Sequence, residues 1–488
     1  MQHSLHSPWQ SALNCPHSAA NAPGSPGART PAAIAASGDA VAAEFWGAVF
    51  VQVASAAAAV DEGNTQTAKQ VLASVLSSTT NSLSANPVAG FACSLGVAAA
   101  YRVLAMAFCR DPKLLPGSWA HRRAHQIALR FQHLANIWVT HVWEKFARRE
   151  EEGTGLAFYQ ERYIDESSWP ITIRDINIEM TIVQNTIAAS GVATGHVPRW
   201  PSAPHDFRDR HLRIGIVSLC AYPEGHSLPR YARSNHEIYA RRHGYRYRLG
   251  EEILDKTRPP AWGKIQLMYE ALHDPSVDWW LWFDCDTFFM NMTVTLESLL
   301  YRYGAVVDGA GAPRGLDLGF NMLVAEDHAM LNTGAFFLRS SVWSRQFLEA
   351  VWGPTDSVWV DHPWWENAAI LWAFLKGNSQ KFRDGDPYAP PPSSARPADD
   401  MEGIYPDEVR LAPQYEFNSY HPATSHFQHD TWAPGKFVLA FNGALSNTSP
   451  NIMKALYANY YERACHLNAI EAQCLPVGDV PPWLGPVS

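Results

Sequence analysis

Val277-Asp278-Trp279-Trp280-Leu281-Trp282-Phe283-Asp284-Cys285-Asp286 is the stretch on which the fold turns. Residues 277–283 are apolar on both faces apart from Asp278, which reads as a central strand buried on both sides. Asp284 and Asp286 follow at its carboxyl end, where ligands bind in open α/β sheets. Two carboxylates one residue apart can approach a single divalent ion. Hard oxygen ligands suit Mg²⁺ or Mn²⁺, either of which would also neutralise a diphosphate. An isolated D-x-D is common and mostly solvated, but one that directly follows W-W-L-W-F is more specific. Burying two unpaired carboxylates there is costly without a cation or hydrogen-bond donors.

Working outward, strand and helix signals alternate. Arg213 to Leu219 is a short β-branched run, and Pro229 to His243 reads as a helix with proline in its first turn and Gly244 as its stop. Tyr245 to Leu249 alternates as a strand, and Gly263 to His273 carries a helical apolar face formed by Ile265, Met268, Tyr269 and Leu272. This order predicts an α/β domain with a mostly parallel sheet over about 211–465. Pro387 to Pro392 and the polar residues around them mark 377–403 as a flexible surface insertion, and 466–488 reads as a C-terminal tail. Upstream, 41–189 is rich in helix formers, and the apolar spacing across Ala120 to Arg149 is that of an amphipathic helix. A Gly/Pro-containing linker is expected at 190–210 and a disordered Ala/Ser/Pro segment at 1–40.

Composition narrows the function. Forty-seven acidic against 38 basic residues give a formal charge of −9 without a basic block, which argues against a nucleic-acid partner. Seven scattered cysteines exclude a disulfide scaffold, and only Cys465 and Cys474 suggest a local bridge. Ten of the 19 tryptophans fall between Trp262 and Trp372, an aromatic-rich core stretch. Phe45 to Val60 is too short to span a bilayer, and Gly90 to Cys109 carries Arg102 near its middle, which favours a buried helix.

Several motifs now fall into a recognisable order. Tyr239 to Tyr245 (YARRHGY), Trp262-Gly263-Lys264, Trp280 to Asn291 (WLWFDCDTFFMN), Leu331 to Trp343 (LNTGAFFLRSSVW) and Pro413 to Tyr420 (PQYEFNSY) resemble those of the family 34 glycosyltransferases. The resemblance covers roughly Arg213 to Arg463. It implies a GT-A, Rossmann-like nucleotide-sugar-binding domain with a mostly parallel central sheet, preceded here by a mainly helical N-terminal region. It further implies retaining transfer of a hexosyl or pentosyl group from a UDP- or GDP-sugar to a glycan acceptor, with Mn²⁺ or Mg²⁺ as cofactor. Golgi membrane or lumen would be the compartment, although no N-terminal anchor is clear.

Residue by residue, the resemblance assigns the metal to Asp284 and Asp286, with Asp284 also near the ribose. Lys264, Asn332, Gly334 and Gly443 become nucleotide-sugar contacts. Glu366 and Asn367 fall where the family has an acidic residue followed by Gln beneath the donor sugar, and are the candidate catalytic pair. One departure stands out. The family's F-V-V-H-F-x-G supplies a third metal ligand, but the corresponding stretch here is Phe437-Val438-Leu439-Ala440-Phe441-Asn442-Gly443. Ala440 replaces the histidine and Leu445 a lysine that contacts the diphosphate. Asn442 is then the nearest replacement ligand, with His426 and His429 on an upstream loop. The departure keeps open a non-catalytic subunit that scaffolds partner glycosyltransferases. A carbohydrate-binding module using the tryptophans does not account for the D-x-D. Of the two N-x-S/T sequons, Asn291 follows the strand too closely to be accessible, which leaves Asn447.

Overall fold

A computed structural model describes residues 52–53, 55–79, 87–142, 185–186, 195–327, 331–353, 359–360, 362–375, 405–425, 428–441 and 450–477. The chain divides into two compact units. One holds Met1–Ala193, His362–Trp364 and Phe374–Ile404, and the other Thr194–Asp361, Trp365–Ala373 and Tyr405–Ser488. The segments 1–40 and 377–403 lie outside the described residues.

The first unit is helical, with α1 (Thr65–Thr79), α2 (Pro87–Cys109) and α3 (Trp119–Val142). The three-and-four spacing of α3 buries Ile127, Phe131, Leu134, Ile137 and Trp138. Tyr101 and Phe108 of α2 meet Phe131 at ring-centroid distances of 5.9 and 5.6 Å. Lys69 of α1 pairs with Asp111, just past α2, at 3.4 Å. Among the described residues no helix is long and apolar enough to cross a membrane.

The second unit is α/β. Its central sheet has the order β2-β1-β3-β8-β7-β9, built from β1 (Ile214–Leu219), β2 (Arg246–Gly250), β3 (Trp279–Phe283), β7 (Met322–Glu326), β8 (Leu331–Arg339) and β9 (Val409–Pro413). The β2-β1, β1-β3 and β7-β9 pairs are parallel, whereas β8 runs antiparallel to both β3 and β7. All five residues of β3 are buried, as expected of a strand apolar on both faces. Helix α4 (Leu228–His243) connects β1 to β2 and stops at Gly244, whose φ of 75° is in the left-handed region that glycine enters without strain. Helix α5 (Gly263–Ala271) connects β2 to β3. A second sheet of order β10-β11-β4 is formed by β4 (Thr287–Phe289), β10 (Ser419–Tyr420) and β11 (Val438–Ala440). It lies directly after the D-x-D, because β4 begins at Thr287.

The boundaries differ from the sequence expectation at both ends. Residues 195–210 are packed into the domain instead of forming a linker. His196 donates its amide to Leu411 O at 2.9 Å and accepts the Leu411 amide on Nδ1 at 2.6 Å. Trp200 and Phe207 pack edge to face at 5.0 Å, and Phe207 rests on Tyr301 at 4.7 Å. Two large aromatic rings outweigh the polar, turn-forming residues around them. At the other end, α10 (Pro450–Leu467) is tied through Cys465–Cys474, and the Leu475 amide donates to Tyr461 Oη at 2.8 Å. The tail expected from 466 therefore stays on the domain through the described residue 477.

Candidate active site

The parallel register aligns Val217 with Trp282. Three residues further along the chain from each, just past the ends of β1 and β3, Cys220 and Cys285 are joined by a disulfide. The middle residue of D-x-D is thereby tethered to the end of β1, a bridge that residue spacing did not reveal. From the other side, the Asp284 amide donates to Gly334 O at 2.9 Å, and the Phe441 amide donates to Asp286 O at 3.0 Å. Backbone hydrogen bonds and a covalent bridge thus hold the turn that carries both carboxylates.

Asp284 Oδ1 accepts from Trp282 Nε1 at 2.6 Å and lies 3.3 Å from Lys264 Nζ. Lys264, only 4% exposed, also donates to Thr333 O at 2.9 Å and to Glu366 Oε1 at 2.8 Å. The ammonium is therefore held by the two carboxylates and a carbonyl, where the sequence had placed it as a nucleotide contact. Burial alone would lower its pKa, but Asp284 and Glu366 together raise it. Glu366 is 1% exposed; burial pushes its carboxyl up, Lys264 pulls it down, and the balance is upward.

Asn367 Oδ1 accepts from the Thr333 amide at 2.8 Å and from Thr333 Oγ1 at 2.6 Å. Its Nδ2 donates to Glu366 Oε1 at 3.3 Å. These contacts join the start of α8 (Trp365–Leu375) to the start of β8.

Asn332 is the centre of a second network. Its Nδ2 donates to Asp327 Oδ2 at 3.1 Å and to Tyr420 Oη; its Oδ1 accepts from the Gly334 amide at 2.8 Å and from Asn418 Nδ2 at 2.6 Å. A Cβ on Gly334 would stand 3.3 Å from Asp284 Oδ2 and 3.0 Å from Asn332 Oδ1, tighter than most side-chain contacts. Glycine is what lets β8 approach the D-x-D this closely. Asp327, Asn418 and Tyr420 were not identified as site residues from the sequence. For Asn418 and Tyr420 the signal was available, since both lie in the P-Q-x-x-x-N-x-Y segment; Asp327 carried none.

The Asp286 carboxylate has no side-chain partner among the described residues. Burial, followed by repulsion from Asp284 and against the pull of Lys264, raises its pKa to about 7. A doubly charged cation would relieve that repulsion, so the donor chemistry of the pair fits Mg²⁺ or Mn²⁺. Among the described residues no cluster of three or more His, Cys, Asp or Glu is positioned to hold a metal. Ala440, 0% exposed, sits in β11 between Thr287 of β4 and Tyr420 of β10 and offers no ligand. Asn442, Gly443, Leu445, Asn447 and His426 lie outside the described residues. His429 is described; its Nε2 faces Asp430 at 3.3 Å. Asn291 is half-buried and donates from Nδ2 to Gly435 O at 3.1 Å.

A profile of the galactosyl transferase GMA12/MNN10 family matches residues 218–305, from the end of β1 through the D-x-D. Over this segment the chain is similar to the galactosyl transferase GMA12/MNN10 family. Similar proteins include xyloglucan 6-xylosyltransferase 1 of Arabidopsis thaliana, 30% identical over 163 residues, which are 32% of this chain and 33% of that one. The probable alpha-1,6-mannosyltransferase MNN10 of Saccharomyces cerevisiae is 25% identical over 138 residues, covering 25% of this chain and 35% of the relative. The matches span about a third of the length of these relatives. A solved glycosyltransferase involved in the glycosylation of the major capsid of PBCV-1 aligns with 52% of this chain and 98% of its own, at 18% identity and a TM-score of 0.30, too slight a likeness to carry an argument.

Proposed function

We propose that the α/β unit is a retaining glycosyltransferase that moves a hexosyl or pentosyl group from a UDP- or GDP-sugar to a glycan acceptor, with Mn²⁺ or Mg²⁺ held by Asp284 and Asp286. The observation that carries this reading is the meeting, at the carboxyl end of β3, of an unpartnered carboxylate with the Lys264–Glu366 ion pair. The similarity to a probable mannosyltransferase and a xylosyltransferase supports the choice of sugar class.

As the bond from the anomeric carbon to the diphosphate lengthens, negative charge grows on the leaving group and positive charge on the sugar ring. Asp284 and Asp286 would hold a divalent cation, which would supply charge to stabilise the leaving diphosphate. Glu366 is the carboxylate for the developing positive charge. Lys264 draws the carboxyl toward its ionised form against burial and holds it in place, and Asn367 anchors its helix to Thr333 so that the pair cannot drift. Asn332 and Gly334 line the approach to Asp284. The Cys220–Cys285 and Cys465–Cys474 disulfides fit an oxidising compartment such as the Golgi lumen.

The test is a screen of UDP- and GDP-sugars against the full chain, with and without Mn²⁺, comparing wild type with Asp286→Asn. Metal-dependent turnover that falls at least a hundredfold in the variant is expected. No metal-dependent thermal shift with any donor at millimolar metal would overturn it. Ala440 favours a second reading, a non-catalytic subunit organising partner glycosyltransferases, which predicts no nucleotide binding at millimolar metal, no turnover, and stimulation of an added partner enzyme.

A further inference from the structure

Trp280, Trp282 and Asp284 alternate along β3 and its continuation, which places them on one face of the sheet. The Asp284 amide extends the β3–β8 ladder by donating to Gly334 O at 2.9 Å. Both indoles are buried, but their N–H groups fare differently. Trp280 Nε1 has no hydrogen-bond partner, whereas Trp282 Nε1 donates to Asp284 Oδ1 at 2.6 Å. The indole N–H is a donor only, and a contact this short is that of a charge-assisted bond to an ionised carboxylate. Lys264 takes the same oxygen, with Nζ 3.3 Å from Oδ1 and 5.5 Å from the centre of the Trp282 ring.

Indole and ammonium together cover Oδ1. No described residue donates to Oδ2, which faces the space over Gly334 that a Cβ would enter at 3.3 Å. The Asp284 side chain is 33% exposed, against 5% for Lys264, so the carboxylate keeps an open side. The terminal torsion of an aspartate is broad and roughly two-fold, and nothing in the side chain itself selects one oxygen over the other. An ammonium, with three rotatable donors, follows a carboxylate that turns; a buried indole in a central strand does not. We propose that Trp282 is a positioning residue that fixes the rotation of the Asp284 carboxylate, so that Oδ2 is the oxygen presented to a divalent cation. This rests on the reading of Asp284 and Asp286 as the metal pair and adds what orients the first of them.

The experiment titrates Mn²⁺ alone into the full chain, with bound metal read by electron paramagnetic resonance. Turnover with UDP- and GDP-sugars is measured on the same preparations. Three variants are compared with wild type: Trp282→Phe; benzothienylalanine at position 282, which keeps the indole shape with sulfur in place of N–H; and Trp280→Phe, which alters a neighbouring ring that makes no hydrogen bond. Mn²⁺ affinity is expected to fall about tenfold to a hundredfold in both position-282 variants and to stay within twofold of wild type in Trp280→Phe. In an Asp284→Asn background, Trp282→Phe is expected to add less than twofold, because the indole acts through that carboxylate. The proposal is overturned by unchanged affinity in the benzothienylalanine variant, an equal fall in Trp280→Phe, a full further fall in the Asp284→Asn background, or no Mn²⁺ binding by wild type. Sugar transfer by wild type in any of these cases leaves the transferase reading standing. Mn²⁺ affinity that depends on the position-282 N–H in a chain without turnover supports the proposal and overturns the transferase reading alone.

Discussion

Burying an ammonium group costs several kcal/mol unless nearby charges replace its water, and Lys264 lies 3.3 Å from Asp284 and 2.8 Å from Glu366. Removing the lysine would leave two carboxylates crowded together, one of them buried. Lys264→Met, close in volume but uncharged, is predicted to lower stability by about 3–5 kcal/mol in urea unfolding and to cut turnover more than a hundredfold. Adding Glu366→Gln should restore part of the stability but none of the turnover. A Lys264→Met midpoint equal to wild type would show that these ion pairs do not hold the site together. The sequence named Lys264, Asp284 and Glu366 separately, each from its own motif. That one ammonium joins them was not legible, because residues 20 and 102 positions from Lys264 meet only once β3, β8 and α8 have packed.

At the scale of elements, the two sheets are stitched together at the D-x-D turn. The Cys220–Cys285 bridge closes a chain separation of 65 residues, for which loop-closure entropy gives about 4 kcal/mol at 25 °C. The Cys220→Ala/Cys285→Ala double variant is therefore predicted to unfold at lower temperature and to lose donor affinity, since the turn bearing Asp284 and Asp286 is no longer tied to β1. Thermal scans and donor KM measured on the same preparation check both effects; unchanged values in each would show that the backbone hydrogen bonds suffice. Cys465 and Cys474 could be paired by eye because nine residues separate them. Cys220 and Cys285 required the parallel register of β1 with β3, a tertiary fact.

For the molecule as a whole, pH acts through buried imidazoles. His236 faces Thr287 O at 2.7 Å, and burial lowers its pKa from 6.5 to about 4. Between those values the unfolded chain binds a proton that the folded one refuses, so this contribution is complete above about pH 6.5 and is lost as pH falls toward 4. The raised pKa values of Asp286 and Glu297 act with opposite sign, since there the folded state holds the proton. The stability of wild type relative to His236→Gln isolates the imidazole. It should fall by up to about 3 kcal/mol from pH 6.5 to 4 in parallel denaturation curves; a flat difference would refute the effect.

The α/β class, the buried central strand and the D-x-D at its end were all determined by the sequence, because hydrophobic periodicity and turn-forming residues act over a few neighbours. So was the absence of a metal-ligating side chain at Ala440. Local pattern failed where distant groups meet. The linker expected over 190–210 became part of the domain through Trp200 and Phe207, and the joining of Asp284 to Glu366 by Lys264 was carried by no single motif. Tertiary structure alone decided these features, because charge pairing, disulfide bonding and close packing depend on distance in space, which chain separation does not encode.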